Sequence, residues 1–306
     1  MTLNELKYIV AVAKERHFRK ASEACFVSQP TLSIAIKKLE DELGITLFER
    51  HKSEILITPI GEQIIQLAED ILQKSQLIKQ LSKEEQGDHS GELKVGAIYT
   101  IAPYLFPRLI PEFHTIAPKV PLILQENYTH NLIEKLQNGE LDLVILSLPF
   151  EHPNIETLTL YEEPFVAAIP NDHKLKNENC LTLKQIENET LLLLGSGHCF
   201  RDQVVDAFPN LSQLNFQHTP LQRTLEGSSL ETIRFMVASG AGITILPCSS
   251  LNLHDQDLFT VKSIDPPVPG RKVALAWRKT YPRKQILQTF KQALKNIDIP
   301  CTIKTL

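Results

Sequence analysis

The sequence predicts a multidomain fold: an N-terminal α-helical winged helix-turn-helix with a long dimerisation helix, followed by an α/β region of two subdomains. Residues 1–58 combine short amphipathic helices, a tight turn and two short strand-like runs, and residues 59–90 continue as a heptad-patterned helix and a polar linker. Residues 91–306 alternate strand and helix patterns, as α/β domains do. A chain of 306 residues is long enough to give each of these domains a core.

Composition and charge are those of an ordinary globular protein, with 42% hydrophobic and 22% charged residues. No apolar run reaches about 18 residues, and the charged N-terminus lacks a small-residue cleavage site. We therefore expect a cytoplasmic protein with no membrane partner. The net charge of −4 does not itself indicate nucleic-acid binding, which would depend on where the basic groups point.

The first helices carry clear start and stop signals. Thr2 with Glu5 forms a capping-box pattern, and a second helix is predicted over "FRKASEACF". A third helix begins at the N-cap Ser28 and stops at Gly44. Two short helices joined by a tight turn, the second polar near its start, are typical of a DNA-binding helix-turn-helix.

A wing and a long helix follow. The run "ITLFERHKSEILIT" predicts two short strands around a polar turn, with Arg50 placed to approach phosphates or the minor groove. Thr58 and Pro59 then begin a helix predicted to reach about residue 86. Its apolar seam has one polar break, at Lys74, and predicts a homodimer through this helix. The seam comprises Ile60, Ile64, Leu67, Ile71, Lys74, Ile78 and Leu81.

The α/β region predicts a ligand site at strand ends. The run "LDLVILSLP" is apolar enough for a central strand of a parallel sheet, and residues 228–247 read as a helix, a glycine turn and a strand. In such sheets ligands bind beyond the carboxyl ends of the strands.

The five cysteines do not form a metal or disulfide pattern. Their number is odd, their spacing is wide and no CxxC pair occurs. We expect no metal and no cofactor, and we expect most of these thiols to be small buried hydrophobes. Cys25 is predicted to lie in a core, and Cys248 and Cys301 to be structural or incidental.

Cys199 lies in "GSGHCFRDQVVDAFP", where glycines precede it and a predicted helix follows. A thiol at a helix N-terminus is stabilised as the thiolate. His198 and Arg201 add positive charge or hydrogen bonds in this interpretation, and Asp202 orients Arg201 or shares its proton network. These features predict a reactive thiol of low pKa. The alternative, from the residues alone, is an inert cysteine between a strand and a helix.

The segments "FVSQPTLSIAIKKLEDELGITLFER" and "ILITPIGEQII" resemble the LysR-type transcriptional regulators. The rest of the chain is similar to that family's periplasmic-binding-protein-like effector domain. Within the family, "GHCFRDQ", "NYTH" and "GSSLETIRFMVASGAGITILP" resemble the OxyR peroxide sensors. The resemblance implies a homotetramer, as a dimer of dimers on promoter DNA, that activates transcription with RNA polymerase once hydrogen peroxide oxidises a cysteine. It also implies DNA contacts at Gln29, Pro30, Thr31, Ser33 and Arg50. We add Lys37, on the same helix, to this set.

The resemblance also places Thr100 and Thr129 beside the thiol, where they would hydrogen-bond peroxide. Each is alternatively a strand-end or N-cap threonine. Arg271 is a weaker candidate for the same pocket, and His218 is not assigned.

The family's resolving cysteine is missing, because Phe208 occupies the position nine residues after Cys199. Three outcomes stay open: Cys180 resolves the oxidised thiol, a small thiol caps it, or Phe208 packs on Val204 and holds the reduced state. We expect disulfide switching to be impaired.

Three functions compete on the sequence. The leading one is a peroxide-responsive transcriptional regulator that is not an enzyme. The runner-up is a LysR-type regulator that senses a small metabolite in the effector cleft. A cysteine-dependent peroxidase is the third, and the DNA-binding module and dimerisation helix that fill the first 90 residues argue against it.

Overall fold

The computed structural model describes residues 1–50, 55–85, 91–208, 229–252 and 254–305. The chain divides into two compact units, Met1–Asp88 and His89–Leu306. The first unit contains α1 Leu3–Glu15, α2 Phe18–Ala24, α3 Gln29–Leu43, β1 Phe48–Arg50, β2 Ile55–Ile57 and α4 Pro59–Glu85.

The helix signals of the first unit act as the sequence predicts. The Thr2 and Glu5 side chains form the capping box of α1. Ser28 accepts the Thr31 N–H at the start of α3, and Gly44 ends that helix in the left-handed region at φ 68°. Helix α2 stops at Ala24, two residues before its predicted end, because Phe26 takes a positive φ of 57° that no helix continues. Strands β1 and β2 pair antiparallel as the predicted wing.

Helix α4 has two apolar faces. Thr58 begins it by accepting the Gly61 N–H at 3.0 Å. Ile65 and Ala68 are buried in the core of the winged helix. A second face is solvent-exposed in this single chain and includes Ile60, Leu67, Ile71 and Ile78.

No helix in the described part of the chain is both long enough and apolar enough to cross a membrane.

The second unit is a mixed α/β structure. Its strands are β3 Leu93–Ile98, β4 Leu122–Asn127, β5 Leu143–Leu148, β6 Ile155–Ile169, β7 Cys180–Leu181, β8 Leu191–Leu192, β9 Ile243–Pro247, β10 Thr260–Ile264, β11 Gly270–Arg278 and β12 Ile303–Lys304. Its helices are α5 Ala102–Ile116, α6 Thr129–Gln137, α7 Leu183–Glu187, α8 Cys199–Ala207, α9 Leu230–Ala238 and α10 Lys284–Asn296.

The sheet order is β4-β3-β5-β11-β6-β10-β7, with β9 pairing β6, and β8 pairing β9. Strand β5 is buried and central, as predicted, but the expected parallel sheet is wrong in part. It runs parallel to β3 and antiparallel to β11. Strand β11 is antiparallel to both of its neighbours, β5 and β6, and this makes the sheet mixed.

Two hydrophobic cores define two subdomains, as predicted. One lies among β3, β5, β11, α5, α6 and α10, and the other among β8, β9, α8 and α9. The 15-residue strand β6 serves both. Its first half buries Leu160 and Tyr161 in the first core, and its second half buries Phe165 and Ala167 in the second.

Two cysteines expected to be structural or incidental lie together. Cys248 follows β9, Cys301 precedes β12, and a disulfide joins them. Cys301 and Cys180 are exposed, so the expectation that most thiols are buried hydrophobes is wrong for these two. Cys25 is buried in the winged-helix core, as predicted. Sequence spacing misses the pair because 53 residues separate its members.

Candidate functional site

Cys199 is the first residue of α8, and His198 is its N-cap. Gly197 makes the turn into the helix at φ 93°, a region that favours glycine. A side-chain carbon there would lie 3.4 Å from the Tyr128 ring. The prediction that glycines place this thiol at a helix N-terminus is therefore confirmed.

A small cavity opens beside the thiol, at the carboxyl ends of β3 and β4 as predicted. It offers about 10 Å³ to the centre of a water-sized molecule, which is roughly the space that one bound water needs. Its lining is Ile98, Tyr99, Thr100, Asn127, Tyr128, Thr129, Gly197, His198 and Cys199. Thr100 and Thr129 both lie here, and Arg201 and Asp202 do not contribute to this lining.

The pKa of Cys199 is raised, chiefly because the thiol is buried away from water. The charge of Arg271, a hydrogen bond from Thr129 and the N–H of Phe200 act in the other direction, and Asp202 adds to the rise. The predicted low pKa is therefore wrong for this conformation. Burial outweighs the helix terminus, and sequence could not show how deeply the sulfur lies.

The cation that favours the Cys199 thiolate is Arg271, the weaker of the sequence candidates. Its Nε donates to Glu163 Oε1 at 2.6 Å, and both side chains are fully buried. Its two Nη atoms donate to the Thr100 hydroxyl at 2.8 Å and to the Thr100 carbonyl at 2.9 Å. Its guanidinium also lies 5.1 Å from the centre of the Phe200 ring. Arg271 is thus held rigidly behind the pocket.

Arg201 and Asp202 pair with each other at 3.6 Å, so Asp202 orients Arg201 as predicted. Both lie outside the pocket lining, and the cation that lowers the pKa of Cys199 is Arg271.

His198 is buried among aromatic rings, 4.8 Å from Tyr128 and 5.9 Å from Tyr99 between ring centres. Burial lowers its pKa, so the ring is neutral at pH 7. The predicted positive charge at His198 is therefore wrong. Its Nε2 is buried and has no hydrogen-bond partner among the described residues.

The two threonines have different partners. Thr100 is buried after β3 and accepts from Arg271. Thr129 is the first residue of α6 and Tyr128 is the N-cap, so the alternative N-cap role for Thr129 is wrong. The buried Thr129 hydroxyl interacts with the thiol and has no nitrogen or oxygen partner in the described structure.

Helix α8 is anchored in the second core by Phe200, Val204 and Phe208. Phe208 is fully buried at the C-cap, and its N–H donates to Val204 O at 3.2 Å. On the opposite side, Gln203 donates to the Ser147 hydroxyl at 2.8 Å. Sequence analysis missed Gln203, which fixes the helix to β5 of the first subdomain.

Cys180, the alternative resolving thiol, lies on the edge strand β7. Four strands separate β7 from β3, whose end forms the pocket. Cys180 is exposed, and a hydrogen bond with Asp265 raises its pKa.

Among the described residues, no group of three or more His, Cys, Asp or Glu side chains is arranged to hold a metal ion.

The start of α3 presents a polar surface. Gln29, Pro30, Thr31 and Lys37 are exposed, and Ser33 is partly exposed. The opposite face buries Leu32, Ile36 and Leu39. Arg50 ends β1, but its side chain, like the turn at residues 51–54 and His218, is outside the described part of the structure.

A DNA-reading winged helix joined to an effector domain of this architecture defines a class of transcription regulators. Residues 3–62 match the bacterial regulatory helix-turn-helix of the lysR family, and residues 86–297 match the LysR substrate binding domain. The chain belongs to the LysR family of bacterial transcription regulators, a family of regulators rather than enzymes.

Within that family the chain is most usefully compared with OxyR proteins. It is 36% identical over 296 residues to the DNA-binding transcriptional dual regulator OxyR of Escherichia coli, covering 96% of this chain and 95% of that protein. Full-length OxyR C199D from Pseudomonas aeruginosa is 44% identical, with a TM-score of 0.79 over 100% of this chain and 99% of that one. A reduced OxyR from N. meningitidis is 38% identical, with a TM-score of 0.66 over 70% and 99%.

Proposed function

We propose that this chain is a DNA-binding transcriptional regulator that responds to hydrogen peroxide through oxidation of Cys199. One observation carries the proposal: the thiol borders a cavity of water-molecule size whose lining includes the hydroxyls of Thr100 and Thr129. Hydrogen peroxide is a small molecule with two oxygens that donate and accept hydrogen bonds, and the two hydroxyls match it. The likeness to peroxide-inducible activators supports the same assignment.

The proposed reaction uses one thiol. The Cys199 sulfur attacks one peroxide oxygen, an S–O bond forms and the O–O bond breaks. The thiol proton leaves with the departing oxygen as water, and the sulfur is oxidised by two electrons to sulfenic acid. Arg271 stabilises the negative sulfur during the attack. Thr129 orients the peroxide, and Thr100 transmits the positive field of Arg271 into the cavity.

We further propose that Phe208 replaces the family's resolving cysteine, so that a disulfide between positions 199 and 208 is excluded. The sulfenic acid then waits for a small thiol such as glutathione, or for Cys180. The edge position of Cys180 and its raised pKa favour the small thiol.

The exposed start of α3 is the proposed DNA-reading surface. The residues at the helix start contact the DNA, and Lys37 and Arg50 contact phosphates; the helix-start contacts are Gln29, Pro30, Thr31 and Ser33. The exposed apolar face of α4 is the proposed homodimer seam, and a tetramer of two such dimers binds promoter DNA with RNA polymerase as partner. A regulator of this kind acts in the cytoplasm.

The test is mass spectrometry of the reduced protein treated with micromolar peroxide and a sulfenic-acid trap. We expect selective trapping at Cys199, no trapping in Cys199→Ser, and unchanged trapping in the control Cys180→Ser. A Cys180–Cys199 disulfide would replace the small thiol by an internal resolving one. Absence of any reaction at Cys199 would favour the metabolite-sensing alternative, which needs a larger cavity than the one described.

A further inference from the structure

Cys248 and Cys301, like the buried Cys25, have no part in the proposed function. Their Cα atoms lie 6.1 Å apart, within the range of ordinary disulfides, and their sulfurs are joined. Cys248 is buried in a turn after β9, and Cys301 is exposed. The Cys248 sulfur also lies 3.0 Å from the Cys301 carbonyl, an acceptor for the thiol when the pair is reduced. The site therefore accommodates both redox states.

The Cys248–Cys301 disulfide lies beside β12, a short strand with few stabilising contacts. Strand β12 has two residues, which pair with Glu162 and Tyr161 of β6. Beyond it, the Thr305 N–H donates to Leu160 O at 3.0 Å. Residues 303 and 304 are exposed, so few buried contacts stabilise this strand. A covalent bond at Cys301, two residues before β12, fixes its start.

The same turn supports the peroxide pocket. The N–H of Ser249, next to Cys248, donates to Glu163 Oε2 at 3.1 Å. The other oxygen of Glu163 accepts from Arg271, and Arg271 donates to Thr100 in the pocket. A movement of the Cys248 turn therefore reaches the groups that tune Cys199 through two hydrogen-bonded side chains.

We propose that Cys248 and Cys301 form a second redox centre, a dithiol that closes to a disulfide and clamps β12 against β6. Cys301, the exposed residue of the pair, reacts first with hydrogen peroxide, which gives sulfenic acid and water. The Cys248 thiol then attacks that sulfur, the S–S bond forms, and a second water leaves. Two thiols lose two electrons, and one peroxide accepts them. Glutathione disulfide can replace the peroxide: Cys301 forms a mixed disulfide and releases one glutathione, and the Cys248 thiol then displaces the second glutathione as the S–S bond forms.

The centre does not depend on Cys199, so its test uses the full chain both as wild type and as Cys199→Ser. Reduced protein is titrated with hydrogen peroxide or glutathione disulfide, quenched, alkylated under denaturing conditions and mapped by mass spectrometry. We expect Cys248 and Cys301 to lose alkylation together and to yield one cross-linked peptide pair in both proteins. Dithiothreitol should restore both thiols.

Cys301→Ser is the main variant because its side chain is exposed, and Cys180→Ser is the matched control at another exposed cysteine. Cys301→Ser should leave Cys248 fully alkylated, whereas Cys180→Ser should leave the cross-link intact. Carboxypeptidase should also remove C-terminal residues several-fold faster from the reduced protein than from the oxidised one. The proposal is overturned if both thiols stay alkylated in excess glutathione disulfide, or if the cross-link vanishes in Cys199→Ser.

Discussion

At the scale of single residues, the pocket is governed by a competition between burial and one buried cation. Burial raises the Cys199 pKa, and Arg271 opposes the rise from a position fixed by Glu163 and Thr100. Cys199 is therefore mainly a protonated thiol in the resting protein at neutral pH. Reactivity toward peroxide then depends on how strongly Arg271 stabilises the small thiolate fraction.

Arg271→Gln tests this dependence. Removing the cation raises the Cys199 pKa further, so the rate of peroxide oxidation at pH 7 should fall about tenfold for each unit of pKa rise. The pH dependence of the rate, followed by sulfenic-acid trapping, should shift to higher pH. The matched control is Arg201→Gln, which should react at the wild-type rate because Arg201 is paired outside the pocket.

The same substitution leaves Glu163 buried without its partner, at a cost of about 3–5 kcal/mol in unfolding free energy. Adding Glu163→Gln removes that unpaired charge and should recover part of the loss. A slow oxidation that persists in the stabilised double variant separates electrostatics from damage to the fold. An equally slow Arg201→Gln would contradict the role of Arg271.

His198 predicts a loss of stability in acid. Its folded pKa is lowered by burial, so the unfolded chain binds a proton that the folded chain excludes. The stability that this neutral ring contributes is present above the unfolded pKa, about 6.5, and is lost as pH falls toward the folded pKa.

Denaturant unfolding at pH 7.5, 6.5 and 5.5 measures the effect of this histidine. The wild type should lose up to about 1.4 kcal/mol per pH unit below pH 6.5 from this one group. His198→Phe keeps an aromatic ring and should show a correspondingly smaller loss. Identical pH profiles for the two proteins would show that folding does not lower the pKa of His198, against the burial argument.

At the scale of elements, α8 is held by its apolar side and cannot close a disulfide in this conformation. Its first residue and position 208 are separated by roughly 13 Å along a helix axis, whereas disulfide Cα atoms lie within about 7 Å. Any bond between these positions requires α8 to unwind. Phe200, Val204 and Phe208, all buried in the second core, oppose that unwinding.

Phe208→Cys tests both parts of this argument. Peroxide should now yield a disulfide between Cys199 and the new thiol, and it should form more slowly than the sulfenic acid because α8 must open first. The smaller side chain leaves a cavity and should lower the unfolding free energy by about 2–4 kcal/mol.

Phe208→Ser is the matched control, since it creates a similar cavity without a thiol. It should show the same loss of stability and a persistent sulfenic acid. If Phe208→Cys stays unbonded after prolonged peroxide treatment, α8 does not unwind and the family's disulfide switch is unavailable to this fold.

The exposed face of α4 carries a second prediction at this scale. Leu67→Glu places a charge in the proposed seam and should raise the dimer dissociation constant about tenfold or more. Gln66→Glu adds the same charge at an exposed neighbour outside the seam and should leave the constant nearly unchanged. Sedimentation equilibrium of the full chain measures both, and equal effects would place the dimer contact elsewhere.

At the scale of the whole molecule, local signals predicted the elements well and long-range contacts poorly. Capping residues and Gly44 act over a few residues, so α1 and α3 were placed correctly. Helix α10 was not predicted, although Ile286, Leu287, Phe290 and Leu294 recur at helical spacing and mark its buried face.

The candidate site divides in the same way. The glycine turn and the position of Cys199 at a helix start were readable, because they depend on neighbours in sequence. Arg271 and Glu163 are 108 residues apart and meet only through the pairing of β11 with β6. Burial of the sulfur likewise depends on the folded chain, so sequence gave the wrong direction for its pKa.

DNA binding is a property that we expect of the whole chain. Affinity should fall steeply with salt, since each phosphate contact releases counterions. Lys37→Gln should reduce the slope of log affinity against log salt by about 0.9 per bound subunit. Lys38→Gln is the matched control, because Lys38 lies 3.8 Å from Glu5 within its own unit and should change the slope less. Equal slopes for wild type and Lys37→Gln would remove Lys37 from the phosphate contacts.

The size of the cavity beside Cys199 also sets which oxidants reach the sulfur. A space of about 10 Å³ for a water-sized centre admits a molecule with two heavy atoms only after small adjustments of its walls. A tertiary alkyl hydroperoxide adds four carbons that meet the rings of Tyr99, Tyr128 and His198. We therefore expect the pocket to select oxidants by size, so that Cys199 reacts faster with hydrogen peroxide than with a tertiary alkyl hydroperoxide.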